Sequence, residues 1–135
     1  MSGEYVVRLK RRALKFLETS EKSDDPDLST FLAEQAIQLY VKGVYYEIVG
    51  EKIRGHGIRS LLGSLSRELE RNGIKHDELD RFVRERRDLL VDLEEAYTES
   101  RYGEGDYTED KSRVFISLAK ETIELLKEVE RNAMD

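Results

Sequence analysis

Apolar residues recur at steps of three and four along almost the whole chain. Val6, Leu9, Ala13, Phe16 and Leu17 make one such stripe, and Leu61, Leu62, Leu65 and Leu69 make another. Val114, Phe115, Leu118, Ala119, Ile123, Leu126 and Val129 mark out the last helix. That spacing places side chains along one face of a helix of 3.6 residues per turn. No stretch shows the sustained alternation of a half-buried strand, and there is a single proline. The chain therefore reads as all-α, an up-and-down bundle of four or five helices with connections short enough for antiparallel neighbours.

The spacing predicts helices over residues 5–21, 28–49 and 58–72, a fourth from Asp77 through Tyr97, and a last one from Thr108, as N-cap, to about residue 131. Ser23-Asp24-Asp25-Pro26-Asp27 breaks the first from the second as a turn. Asp24, Asp25 and Asp27 lack the spacing and closing Glu of a calcium loop. The second helix is apolar on more than one side, as suits the most buried helix or one that also faces a partner. Gly43 inside it costs ~1 kcal/mol relative to Ala, which implies close packing at that point. Gly50 and Gly73 are the expected stops of the second and third helices.

A length of 135 residues suits one domain, residues 1–135. The chain has no cysteine, which excludes disulfides, thiolate zinc sites and a Cys nucleophile. No apolar run approaches the ~18 residues of a membrane span and residues 1–12 hold no secretory leader, so a soluble protein of the cytoplasm is the expectation. Charged residues make up 39% of the chain, against an ordinary ~25%. Lys plus Arg is 23 and Asp plus Glu is 29, a net charge of −6. That balance argues against a general nucleic-acid coat and leaves room for a small phosphate site. There is no phosphate-loop motif, no paired-His zinc motif and no Ser-centred nucleophile elbow, so no cofactor or metal is expected.

Three segments carry a resemblance. They are Phe31-Leu32-Ala33-Glu34-Gln35-Ala36 through Lys42, then His56-Gly57-Ile58-Arg59-Ser60-Leu61-Leu62, then Leu93 through Tyr97 to Glu99-Ser100-Arg101-Tyr102. Their order and spacing, over residues 8–129, resemble the HEPN (higher eukaryotes and prokaryotes nucleotide-binding) domain family. One departure is Gly103, where members often have proline after the Arg-Tyr pair. The resemblance implies a helical bundle that is commonly a homodimer. It implies a frequent partner, a minimal nucleotidyltransferase, sometimes as a toxin–antitoxin pair. One branch of the family consists of metal-independent ribonucleases that use an Arg, four to six residues, then a His.

In the matching loop Arg101 takes the place of that arginine, but Asp106 and Tyr107 stand where the His would be. Metal-free RNA cleavage needs a group titrating near neutrality, and an exposed Asp of pKa ~3.9 is a poor general acid. Catalytic residues are therefore expected to be absent. Arg71-Asn72-Gly73-Ile74-Lys75-His76 matches the count in the wrong place, and His76 reads as a solvated residue before an N-cap.

The candidate nucleotide- or phosphate-binding residues are Lys52, His56, Arg59, Arg101 and Tyr102. Flanking glycines and the start of the third helix suit His56 to an anion, while a structural His capping that helix is the alternative. Arg101 offers a planar fork for phosphate and Tyr102 a face for a base. Alternatively, Arg101 pairs with Glu95 or Glu99 and pins the loop. Tyr97 belongs to the core, and Tyr45 and Tyr46 are candidate interface anchors. The basic runs of residues 8–15 and 81–87 read as solvated helix faces, leaving RNA binding open. Three functions follow: a non-catalytic nucleotide-binding subunit beside a nucleotidyltransferase, a ribonuclease or toxin using His76 or His56, and a dimeric interaction module without a ligand.

Overall fold

A computed structural model of the chain describes residues 2–103 and 105–134. Six helices follow one another: α1 (Ser2–Lys22), α2 (Pro26–Val49), α3 (Ile58–Arg71), α4 (Asp77–Glu85), α5 (Arg87–Arg101) and α6 (Glu109–Met134). No strand occurs among the described residues, so the expected all-α bundle is the observed one.

α2 is the axis, packing against α1, α3, α5 and α6. Ala33, Ala36, Ile37, Val41 and Val44 are all buried, so it has no wholly solvated face over its middle turns. Gly43 is where α1 comes closest: a Cβ there would lie 3.3 Å from Cγ of Lys10 and 3.6 Å from Cβ of Leu9. The expected close packing is thus present, and it explains a glycine in the interior of a helix.

The ends follow local chemistry. Asp25 caps α2, accepting from the N–H groups of Asp27 (3.0 Å) and Leu28 (3.3 Å), and Pro26 opens the first turn. α2 stops at Gly50, whose φ of 82° only glycine adopts cheaply. α3 ends in a Schellman pair: the N–H of Gly73 donates to Glu70 O at 3.1 Å and that of Ile74 to Leu69 O at 2.8 Å.

Two details differ from the sequence reading. The fourth predicted helix is two helices, α4 and α5, meeting at Arg86. Residue 86 falls on the apolar stripe of an unbroken helix, and a guanidinium cannot be buried there unpaired. The chain breaks instead, and Arg86 reaches Glu121 of α6 at 3.0 Å. Val114, one residue off the inner stripe of α6, is exposed.

No helix among the described residues is long and apolar enough to cross a membrane.

Candidate functional site

The segment between α2 and α3 brings His56 and Arg59 to the flank of α5. Gly57 is the N-cap of α3, and a Cβ on it would touch Oε1 of Glu94 at 3.4 Å. Two residues on, Nε of Arg59 donates to Oε2 of Glu94 at 2.6 Å. Between α3 and α5 lies an open hollow of about 410 Å³ lined by Arg59, Val91, Glu94, Glu95, Thr98 and Glu99. Arg101 follows Glu94 by seven residues, so it lies on the same face of α5, about 10 Å further along the axis. One arginine therefore stands at each end of this line.

The two arginines differ in what holds them. Arg59 is half-buried and committed to Glu94. Arg101 is exposed, makes no ion pair among the described residues, and has its guanidinium 5.5 Å from the ring of Tyr102, itself 65% exposed. The expected alternative, a pair with Glu95 or Glu99, is not formed. The phenol of Tyr107 donates to Glu99 at 2.8 Å instead.

Tyr107 fixes the loop that follows. Its N–H donates to Oδ1 of Asp27 at 2.9 Å, tying the loop to the start of α2, and its ring meets Phe115 edge-on at 6.2 Å. Burial, with Glu99 beside it, pushes its phenol up to about 12. Gly105 lies so close beneath that a Cβ would fall 3.0 Å from the Tyr107 ring and 3.2 Å from Oγ of Ser100. Gly103 has φ 72°, a value closed to the proline ring. A proline could therefore not take the place of Gly103 in this loop. Asp106, at the family's histidine position, is exposed, and Glu104 lies outside the described residues.

The remaining candidates are placed as follows. Lys52 lies 4.7 Å over the ring of Tyr5 on α1, and Tyr5 meets Tyr46 edge-on at 4.8 Å. Lys52 and Tyr46 are therefore engaged at the junction of α1 and α2. His56 is exposed and does not cap α3, since Gly57 holds that position without a side chain. His76 is itself the N-cap residue of α4, and its Nδ1 lies 2.8 Å from Oδ2 of Asp80. It is not the solvated residue the sequence suggested, because that carboxylate, also bonded by Ser66, draws it in and raises its pKa. Arg71, its partner by count, pairs with Glu68 at 2.7 Å. His76, Asp77 and Asp80 offer ligand atoms within 4.8 Å of one another, the one such group among the described residues.

Beneath the Arg59 end lies a polar layer that the sequence reading missed. Glu34 of α2 is 1% exposed, and Nε2 of Gln38 donates to its two oxygens at 2.8 and 2.7 Å. Burial pushes its carboxyl up to about 8, and the charge of Glu94 adds to the rise against the donors Gln38 and Gln35. Near neutrality Glu34 is thus mostly protonated, while the neighbouring Glu94 accepts from Arg59. One turn away, Phe31 stacks on Tyr97 with centroids 5.4 Å apart. Glu34 and Gln38 are four apart in a helix buried on all sides, a signal that could have found this layer.

Chemically, the exposed end offers a guanidinium fork for an anion and a phenol ring for a planar group. Thr98 and Glu95 add a hydroxyl and a carboxylate acceptor for polar groups lying along the groove. Neither a curated protein nor a solved structure matches the chain in searches of both. The family model described as HEPN domain matches residues 6–129, nearly the whole length and all three segments that carry the resemblance. The chain belongs to the HEPN domain family.

Proposed function

We propose that this chain is a non-catalytic HEPN subunit that binds a nucleotide along the α3–α5 groove and acts beside a nucleotidyltransferase. One observation carries the reading. Arg101 and Tyr102 are exposed side by side with no ion pair to Arg101 among the described residues, while the companion histidine of the ribonuclease branch is replaced by the exposed Asp106. A guanidinium outside any ion pair among the described residues retains its donors for a phosphate, and a solvated phenol ring stacks on a base. Arg59, paired through Nε with Glu94, is a positioning residue that holds α3 against α5. His56 lies beside that end and supplies a second donor.

The partner, a homodimer and a toxin–antitoxin pairing belong to this reading through the family. The ribonuclease alternative loses support from His76 and Arg71, each already engaged by a carboxylate. Titration calorimetry with ATP, GTP, CTP, UTP and NAD tests the proposal. At least one binds the wild type, and Arg101→Ala and Tyr102→Ala each weaken it by tenfold or more, about 1.4 kcal/mol. Unchanged affinity in both variants removes the site. Cleavage of RNA in the presence of a chelator, lost in His76→Ala or His56→Ala, restores the ribonuclease reading in its place.

A further inference from the structure

α1 carries charge that the fold does not use. It holds six cations and three carboxylates, in a chain whose net charge is −6. Lys10 is used inside the molecule, meeting Glu130 at 2.5 Å and Glu47 at 3.0 Å. Lys15 and Lys22 share Glu18, at 3.9 and 2.9 Å. Arg8, Arg11 and Arg12 are exposed and make no ion pair among the described residues. α6 behaves oppositely: Lys111, Arg113, Lys120, Lys127 and Arg131 each meet a carboxylate. Arg8 faces Arg12 and Arg11 faces Lys15 at four-residue spacing, an arrangement that destabilises a helix standing alone.

The same face exposes apolar surface. Val7 is 61% and Leu14 40% exposed, seven residues apart and hence in line along the helix. The space beside that line is bordered by α1 side chains alone, Arg8, Arg11 and Lys15 among them. The inner side chains Val6 and Ala13 are buried, so α1 meets the bundle with one face and leaves this one open.

A nucleic-acid backbone satisfies the arginines, leaves Val7 and Leu14 wet, and lies against a body of net negative charge. A second copy offers its own α1 face only by setting arginine against arginine. An acidic amphipathic helix uses both features, its apolar stripe on Val7 and Leu14 and its flanking carboxylates on the cations.

We propose that the outer face of α1 docks an acidic amphipathic helix of a partner protein, with Val7 and Leu14 as the apolar seam and Arg8, Arg11, Arg12 and Lys15 as its charged border. The inference deepens the accessory-subunit reading and rests on it for the existence of a partner. It is distinct from the nucleotide groove, so the two fail separately.

The test uses a labelled three-heptad helical peptide with Leu at the seam positions and Glu at the flanks. Two competitors accompany it: the same peptide with Ser for Leu, and polyuridylate. The wild-type chain binds the Leu peptide, measured by fluorescence anisotropy, and prefers it to both competitors. The combined variant Arg8→Glu, Arg11→Glu, Arg12→Glu weakens binding by tenfold or more, and so does Leu14→Ser, which changes no charge. Circular dichroism checks that each variant is folded. Should the triple variant fail to fold, Leu14→Ser with the Ser peptide carries the same contrast. Absence of binding overturns the proposal. So does equal affinity for the Ser peptide or polyuridylate, which makes the face a general polyanion surface. Calorimetry with nucleotides on the same samples shows separately whether the groove reading stands.

Discussion

Arg59, beside the hollow between α3 and α5, and Arg101, at the end of α5, show what an arginine does with and without an ion pair among the described residues. Arg59 has Glu94 at 2.6 Å, with Gly57 close by on the same carboxylate, and beneath it the buried acid Glu34. Its charge is spent on holding two helices together. Arg101 makes no ion pair among the described residues and has its guanidinium beside the ring of Tyr102, while Glu99 accepts from Tyr107. The sequence gives no sign of this difference, since acids lie within helical reach of both arginines. It is tertiary competition for carboxylates that decides which cation is structural and which is open to a ligand.

The comparison can be sharpened by four variants, taken from the largest effect on stability to the smallest. Glu34 comes first. Its folded pKa, about 8, lies above the ordinary 4.5, so the native state holds a proton that the unfolded chain releases. Stability is therefore greatest below pH 4.5 as far as this group is concerned, falls as pH rises, and levels off above about 8. The total loss is on the order of 5 kcal/mol. Glu34→Gln removes that slope, and urea midpoints across the pH range show it. Parallel profiles for the two proteins break the picture of a buried acid under the Arg59 end.

Arg59→Ala comes next, with a cost of roughly 1–2 kcal/mol, because the part-buried Glu94 then loses its ion-pair partner. Thermal unfolding measures it, and an unchanged midpoint places Arg59 with the idle cations. Asp27→Ala costs about 1 kcal/mol through the lost bond to Tyr107 N–H. Because that bond steadies the loop after Arg101, the same variant weakens nucleotide binding at an end it never touches. Arg101→Ala should leave stability within about 0.5 kcal/mol of the wild type, as a side chain without structural partners does.

Much of the fold was legible because its signals are local. Gly73 announced a helix stop and sits in one; Gly43 announced close packing and faces Lys10 and Leu9. The break at Arg86 was not legible. The apolar stripe runs through it, and only the presence of Glu121 on α6 shows where the guanidinium goes. The burial of Glu34 was not legible, since it is decided by the helices that pack around α2 and not by its own segment. Among the candidate residues, the different surroundings of Arg59 and Arg101 depend on contacts between helices, Glu94 lying 35 residues from Arg59 and Glu99 accepting from Tyr107 of the following loop. Lys52 belongs with Tyr5 for a similar reason: the end of α2 returns it to α1.

The most direct test is a thermal-shift series on the wild type, Arg59→Ala and Arg101→Ala with each of the five nucleotides. A ligand at 100 times its dissociation constant adds ~2.7 kcal/mol, several degrees for a domain of this size. The account expects a shift in the wild type, a lowered baseline with the shift retained in Arg59→Ala, and an unchanged baseline with the shift lost in Arg101→Ala. A shift retained in Arg101→Ala, or none with any nucleotide in the wild type, contradicts it.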